Sequence, residues 1–279
     1  MNIDKKDLVD LIGLTVLMYD YEKKFKLEDE ENIESFIGNN SDFISKLDDT
    51  RKNIFENLKN NSPFGKVEKY ISDSETDLQV GITISEKNKR LNVIFRGTES
   101  YTDWKYDLMV TKRRLEKNIY VHNGFYQQLF RNDNFDKIKT KLIELLKENP
   151  DYEVNIVGHS LGGALSVLYG YLLSKTITNQ VNVISLGSPR VGNYDFRQDF
   201  DSQSNLKHYR ITNNKDVITA VPMFYFYHTG INIHLSQNSA TIYENYNYNK
   251  YLQFSLFNCW RVSDHNITDY YNKIQKFNI

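Results

Sequence analysis

Short apolar runs with the character of β-strands alternate with helical segments in the second half of this 279-residue chain. Strands are predicted at 153–157, 181–186 and 206–211, and helices at 160–174 and near 193–201. Such alternation joins parallel strands through crossover helices, which cover both faces of the sheet. We therefore predict one doubly wound α/β domain over residues 1–279.

The segments outside this alternation carry other patterns. Apolar residues recur at helical spacing through residues 1–70, which predicts a helical N-terminal extension or cap packed on the core. Two apolar runs, 78–85 and 91–97, flank a polar turn and predict a β-hairpin. A continuous helix is predicted from Phe125 up to Pro150, and another in the final stretch 264–277.

The composition is that of a globular protein, with 40% hydrophobic and 25% charged residues, and it excludes a disordered or membrane-spanning chain. The formal net charge of -1 gives no indication of nucleic-acid binding. The obvious basic cluster, Lys112 to Arg114, is expected to be a solvated loop.

Two features bear on location. The chain has one cysteine, Cys259, which favours a reducing compartment. The apolar stretch 8–19 is interrupted by Asp10, lacks a small-residue cleavage site and is too short to cross a bilayer. These features predict a cytoplasmic or otherwise intracellular protein without a signal peptide, and they leave peripheral association with lipid open.

Ser160 lies in the segment Gly158-His159-Ser160-Leu161-Gly162, between a predicted strand and a predicted helix. This is the context of a nucleophile elbow, a strained turn that exposes a serine. Strand and helix pass close together there, and glycines two residues before and after the serine avoid a collision. The helix N-terminus also directs N–H groups to where negative charge would develop. The alternative is an ordinary tight turn.

A nucleophilic serine needs a base and an acid that orients the base. In chains with a nucleophile elbow, the acid follows the serine along the chain and the histidine follows the acid. His265 lies in a turn at the start of the last predicted helix, where a C-terminal loop would deliver a base. Asp216 directly follows a predicted strand and is the favoured acid. Three other aspartates lie on a polar helix face: Asp195, Asp199 and Asp201.

A series of short segments between roughly residues 70 and 270 stands in the order of a known family. They are "VIFRGTESYTDWKYDL" (93–108), "VHNGFYQQL" (121–129), "VGHSLGGAL" (157–165), "GSPRVGN" (187–193), "ITNNKDVITAVP" (211–222), "HTG" (228–230) and "DH" (264–265). In this order they resemble the class 3 lipases, the fungal triacylglycerol lipase type of α/β hydrolase. The resemblance implies an α/β-hydrolase fold, a mostly parallel central sheet with helices on both faces, here with extra N-terminal helices.

Carried over position by position, the resemblance implies that Ser160 is the nucleophile, Asp216 the acid and His265 the base. It also implies an oxyanion hole made by the backbone N–H of Leu161 and by the N–H and hydroxyl of Thr98. For Thr98 the alternative is a hydroxyl that only terminates a strand.

The resemblance further implies an amphipathic lid, with Tyr101, Trp104 and Leu108 on one helical face. Such a lid would cover the site in water and turn its apolar face to a lipid surface. Ordinary core contacts of these side chains are the alternative. Two departures concern the support of catalytic loops: Thr219 stands where the family often has proline, and Thr268 where it often has tyrosine.

The function implied by the resemblance is that of a serine carboxylic-ester hydrolase, a lipase that acts on acylglycerols or related lipid esters without a metal or organic cofactor. The expected partner is a lipid ester at a lipid–water interface, and not a nucleic acid. A phospholipase, a galactolipase, a short-chain esterase and a catalytically silent lipid-binding protein are alternatives. The aromatic run 224–227 is expected either to line an acyl pocket or to form a buried strand. The sequence leaves the natural substrate and the oligomeric state open.

Overall fold

The computed structural model describes residues 4–27, 33–61, 65–98, 111–244 and 261–277. The three predicted lid residues and Cys259 lie outside these ranges. The described strands are β1 (Lys66–Asp73), β2 (Leu78–Ser85), β3 (Arg90–Phe95), β4 (Lys112–Glu116), β5 (Ile119–His122), β6 (Glu153–His159), β7 (Val181–Leu186), β8 (Leu206–Asn213), β9 (Ile231–Leu235) and β10 (Ala240–Tyr243).

Eight of these described strands form one sheet in the order β1-β2-β3-β6-β7-β8-β9-β10. Strands β3, β6, β7, β8 and β9 are parallel to one another, whereas β1, β2 and β10 pair antiparallel at the two sides. Strands β4 and β5 form a separate antiparallel hairpin. The parallel strands have their carboxyl ends at one edge of the sheet, where α/β proteins place their sites.

Helices lie on both faces of this sheet. The described α-helices are α1 (Lys5–Met18), α2 (Ile33–Asn39), α3 (Ser41–Ser45), α4 (Asp49–Asn61), α5 (Asn123–Phe130), α6 (Asn134–Glu148), α7 (Leu161–Ser174), α8 (Tyr194–Ser202) and α9 (Ile267–Lys276). Consecutive strand residues point to opposite faces. Ile156 accordingly packs in a core with α5, α6, α7 and α8, and Val157 in a second core with α1, α4 and α9. This arrangement confirms the predicted fold class.

Two sequence predictions of local structure are wrong. The helix predicted from Phe125 to Pro150 is broken at Asn132 and Asp133, which take left-handed φ values of 54° and 57°. Asn and Asp tolerate this conformation, and the break has no signature in the apolar spacing. Strand β1 begins at Lys66, inside the segment predicted to be helical, and it pairs with β2 at one side of the sheet.

The N-terminal helices pack against the part of the sheet that carries the site. Helix α1 contacts β3, β6 and α9, and its side chains Leu8, Ile12 and Val16 are fully buried. No helix in the described ranges is long and apolar enough to cross a membrane.

Candidate active site

Ser160 is the single residue between strand β6 and helix α7. Its backbone has φ 58° and ψ -125°, a region that a residue with a side chain rarely occupies. Hydrogen bonds hold it from both sides: its N–H donates to the carbonyl of Leu186 at 2.9 Å, and its carbonyl accepts from Gly163 at 3.0 Å. The turn is therefore a strained elbow built into the sheet.

The glycines around the serine are required by close backbone contacts. A methyl group on Gly158 would lie 2.2 Å from the carbonyl oxygen of Gly162, and one on Gly162 would lie 2.5 Å from that of Phe95. Side chains at either position would force strand and helix apart. The structure thus confirms that an elbow at Ser160 requires glycine at both positions.

Asp216 lies on the loop that follows β8, and its side chain is fully buried. One carboxylate oxygen, Oδ1, accepts from the backbone N–H of Ile218 at 2.9 Å. The other, Oδ2, accepts from Nδ1 of His265 at 2.7 Å and from the Tyr270 hydroxyl at 2.5 Å. These hydrogen bonds replace the ones that the buried carboxylate would otherwise make with water.

His265 is the last residue of a 3-10 turn, Val262–His265, just before α9. Because the carboxylate of Asp216 can only accept, Nδ1–H of His265 donates this hydrogen bond, and Nε2 is the other ring nitrogen. Nε2 is buried and has no hydrogen-bond partner among the described residues. Among the described residues, the ring thus has one nitrogen that is not hydrogen-bonded.

His159, the residue before Ser160, packs directly on this ring. The two imidazoles stack with centroids 4.5 Å apart and an interplanar angle of 30°. Nε2 of His159 lies 3.0 Å from the backbone carbonyl of His265, and Nδ1 lies 2.8 Å from the Tyr19 hydroxyl. Burial, and then the neighbouring His265, hold the pKa of His159 well below its usual range. His159 is therefore neutral. Its Nε2–H donates a hydrogen bond to the carbonyl of His265, and its Nδ1 accepts a hydrogen bond from the Tyr19 hydroxyl.

Asp264 ties the loop of the histidine to the loop of the acid. Its Oδ2 accepts from the backbone N–H of Lys215 at 3.2 Å, and its Oδ1 accepts from the amide of Asn214 at 3.3 Å. The backbone carbonyl of Asp264 accepts from the amide of Asn213 at 2.8 Å. The residues that flank Asp216 and His265 are thus joined by three hydrogen bonds.

The residues predicted to form the oxyanion hole lie on either side of the elbow. Leu161 is the first residue of α7, where N–H groups have no partner within the helix and the helix dipole is positive. Thr98 is half-buried and follows Gly97, at which a methyl group would lie 3.3 Å from Cβ of Ser160 and 2.6 Å from the carbonyl of His159. The predicted lid residues are outside the described ranges.

Sequence reasoning missed Tyr270, Tyr19 and His159. Thr268, which stands where the family often has tyrosine, is half-buried and donates to Asn266 at 2.7 Å. The hydroxyl on Asp216 comes instead from Tyr270, two residues further along and fully buried. An aromatic residue on the buried side of the last helix was the available signal. Tyr19 lies far away in the chain and has no local signal.

Two of the other acidic candidates, Asp199 and Asp201, are occupied elsewhere. Asp199 accepts from the Tyr171 hydroxyl at 2.7 Å and pairs with Lys175 at 3.0 Å. Asp201 accepts from the backbone N–H of Gly230 at 2.9 Å. Within the described ranges no group of three or more His, Cys, Asp and Glu side chains could hold a metal ion.

The fold and this serine elbow place the chain among the α/β hydrolases. The family model described as lipase (class 3) matches residues 92–226. Over these residues the chain is similar to the class 3 lipase family.

Relatives and a solved structure agree with this family. A lipase from Rhizopus niveus is 28% identical over 191 residues, which cover 64% of this chain and 47% of the relative. Phospholipase A1-II 3 from Oryza sativa subsp. japonica is 30% identical over 181 residues, or 54% of this chain and 43% of the relative. The crystal structure of the lipase from Rhizopus microsporus var. chinensis superposes with a TM-score of 0.68 at 25% identity, covering 94% of this chain and 85% of that one. The chain spans about half the length of the curated relatives it matches.

Proposed function

We propose that this protein is a serine carboxylic-ester hydrolase that cleaves acylglycerols or related lipid esters. The observation that carries the proposal is the buried Asp216–His265 pair, joined at 2.7 Å, whose ring lies against the elbow residue next to Ser160. A strained serine, an oriented imidazole and a buried carboxylate are the parts that acyl transfer through a covalent intermediate requires.

In the proposed first half-reaction, Oγ of Ser160 attacks the ester carbonyl carbon while Nε2 of His265 takes the hydroxyl proton. Asp216 keeps Nδ1 protonated and stabilises the imidazolium that forms. The tetrahedral intermediate then expels the alcohol, which takes the proton from Nε2. Water repeats the sequence on the acyl-enzyme and releases the acid.

Charge develops on the carbonyl oxygen in both half-reactions. The backbone N–H of Leu161 and the Thr98 N–H and hydroxyl are the proposed donors to this oxygen. The position of Leu161 at a helix N-terminus supports this role because the free N–H groups and the dipole both favour an anion there.

A phospholipase is the second candidate, because one relative at 30% identity is phospholipase A1-II 3. Galactolipids and short-chain esters fall within the same chemistry, and the acyl and headgroup contacts distinguish them. A catalytically silent lipid-binding protein is the competing proposal from another class.

The test is hydrolysis of p-nitrophenyl esters from acetate to palmitate, with and without micelles, together with labelling by a fluorophosphonate probe. We expect turnover and labelling by the parent protein, and neither by Ser160→Ala. A parent protein that binds micelles but takes up no probe would support the silent lipid-binding protein instead. A jump in rate at the micellar threshold indicates a lipase, and smooth saturation by short chains indicates an esterase.

A further inference from the structure

The loop between the 3-10 turn Val217–Ala220 and strand β9 exposes two large aromatic side chains. Phe224 is 66% exposed and Tyr225 is 67% exposed, whereas the next residue, Phe226, is buried. The alternative prediction of a buried strand over this run is therefore wrong for its first two residues. Adjacent aromatic rings that are exposed to solvent are unusual on a protein surface and mark binding sites.

The outward position of these rings is fixed by the fold. Tyr225 has a left-handed φ of 66°, which is strained for a bulky residue and persists only where the surroundings impose it. Arg190 holds the start of the loop, since its N–H donates to the carbonyl of Val221 and its Nη1 to that of Pro222, both at 2.8 Å. Phe226 anchors the other end in the interior.

Strand β4 carries three consecutive cations, of which Lys112 lies beside an aromatic ring of this loop and Arg113 lies 4.8 Å from the centroid of the Tyr126 ring in α5. Lys112, Arg113 and Arg114 are all exposed. Nζ of Lys112 lies 3.8 Å from the centroid of the Tyr225 ring, a cation–π contact that makes the two features one surface. The acidic residue at the end of the same strand, Glu116, pairs with Lys175 at 2.8 Å.

The three cations form no ion pair with any acidic side chain in the described ranges. We define these five residues, Phe224, Tyr225 and Lys112 to Arg114, as the aromatic–basic surface.

The aromatic–basic surface lies at the same edge of the sheet as Ser160, the edge formed by the carboxyl ends of the parallel strands. The hairpin is attached to the segment after the carboxyl end of β7, because His122 N–H donates to the carbonyl of Val191 at 2.9 Å. The aromatic loop is attached to the same segment through Tyr227 N–H, which donates to Gly192 at 2.7 Å.

We propose that the aromatic–basic surface docks the protein on anionic lipid–water interfaces, independently of any lid. The inference rests on the proposed function, since docking there would bring lipid esters to the serine side of the sheet. Charge complementarity selects the occupant: exposed cations attract anionic headgroups, and aromatic rings insert at headgroup depth. The chain as a whole has a net charge of -1, so the attraction is local to this surface.

The experiment measures partitioning of the full chain onto vesicles of ether-linked phosphatidylcholine, with and without ether-linked phosphatidylglycerol. Ether lipids and a Ser160→Ala background keep hydrolysis out of the measurement. Each cation near an anionic surface is worth about fivefold in binding, so Lys112→Gln/Arg113→Gln/Arg114→Gln should bind phosphatidylglycerol vesicles between about tenfold and a hundredfold more weakly. Phe224→Ser/Tyr225→Ser should weaken binding to both vesicle types.

Matched controls carry the same chemical changes elsewhere. Lys87→Gln/Lys147→Gln/Lys207→Gln removes three charges near the opposite edge of the sheet, and Ile242→Ser/Tyr243→Ser removes exposed apolar side chains from β10. Both controls should bind like the parent. Equal losses in variant and control, or no preference of the parent for phosphatidylglycerol, would overturn the proposal.

A soluble short-chain ester separates this proposal from the proposed function. With Ser160 restored, the triple Gln variant on β4 should hydrolyse p-nitrophenyl acetate at the parent rate. A parent that hydrolyses the ester but ignores anionic vesicles overturns the docking surface alone. A parent that binds the vesicles but hydrolyses no ester overturns the proposed function alone.

Discussion

The imidazole of His159 stacks on that of His265 and is hydrogen-bonded to its backbone carbonyl at 3.0 Å. The residue next to the proposed nucleophile therefore supports the proposed base through both ring and backbone. The Tyr19 hydroxyl is hydrogen-bonded to the other ring nitrogen of His159, Nδ1, at 2.8 Å. Tyr19 is the C-cap of α1, so the end of this helix belongs to the same chain of hydrogen bonds. The N-terminal extension thus reaches the site directly.

Replacement of Tyr19 by Phe should lower kcat for p-nitrophenyl butyrate and leave KM unchanged. A hydrogen bond of this kind is worth about 1 kcal/mol, which corresponds to a fall in kcat of roughly fivefold if the ring of His265 loses its position. The control is Tyr70→Phe, which removes a hydroxyl bonded to Gln79 at 2.9 Å. Parent-like kcat in Tyr19→Phe, or the same loss in both variants, would contradict a positioning role.

Replacement of Tyr270 by Phe should have a larger effect on kcat. It leaves Oδ2 of Asp216 with His265 as its remaining described donor. Hydrogen bonds to charged groups are worth about 1.5 to 3 kcal/mol, so we expect kcat to fall at least tenfold. Tyr271→Phe is the matched control, because its buried ring lies next in α9 and its hydroxyl contacts Asn57 at 2.9 Å. Both variants should lose stability in urea unfolding, and kcat should fall in Tyr270→Phe alone.

The elbow could be predicted from sequence because all its requirements are local. A strand must end, a helix must begin, and glycines must stand two residues before and after Ser160. The proposed acid and the proposed base follow from their order along the chain and from the loops that carry them. The structure brings Asp216 and His265 together at 2.7 Å.

The supporting residues could not be predicted because their roles depend on how helices are rotated and docked. Thr268 and Tyr270 are two residues apart on α9, and only packing decides that the second one faces Asp216. Of the two alternatives for the run 224–227, the buried strand is wrong at Phe224 and Tyr225. Apolar residues usually indicate burial, but Tyr225 takes a left-handed φ of 66° in this loop, and both Phe224 and Tyr225 are exposed.

Replacement of Thr98 by Ala tests the oxyanion hole. If the hydroxyl donates to the developing oxyanion, its removal should lower kcat on the order of a hundredfold, as for a single oxyanion donor. Thr98→Ser keeps the hydroxyl and should retain most of the rate. Steady-state kinetics on p-nitrophenyl butyrate decide between the two roles. An Ala variant with nearly the parent rate would leave Thr98 as a strand-terminating residue.

Replacement of Asp10 by Asn tests a buried carboxyl group in α1. Asp10 is 3% exposed, and its Oδ2 has no hydrogen-bond partner among the described residues. Burial raises the pKa of Asp10 from 3.8 to about 7, and Lys6 offsets part of the rise. The folded protein therefore binds this proton more tightly than the unfolded chain, and its stability falls as the pH rises from about 4 to about 7.

The Asn variant cannot ionise and should escape this loss. Above pH 7 we expect Asp10→Asn to exceed the parent in free energy of unfolding by roughly 2 to 4 kcal/mol, because one pKa unit corresponds to about 1.4 kcal/mol. Below about pH 4 the difference should vanish, since both side chains are then neutral. Urea unfolding across this pH range measures the effect, with Asp42→Asn on exposed helix α3 as the control. A difference between Asp10→Asn and the parent that does not change with pH would show that Asp10 has the same pKa in the folded and the unfolded chain, and would contradict the prediction.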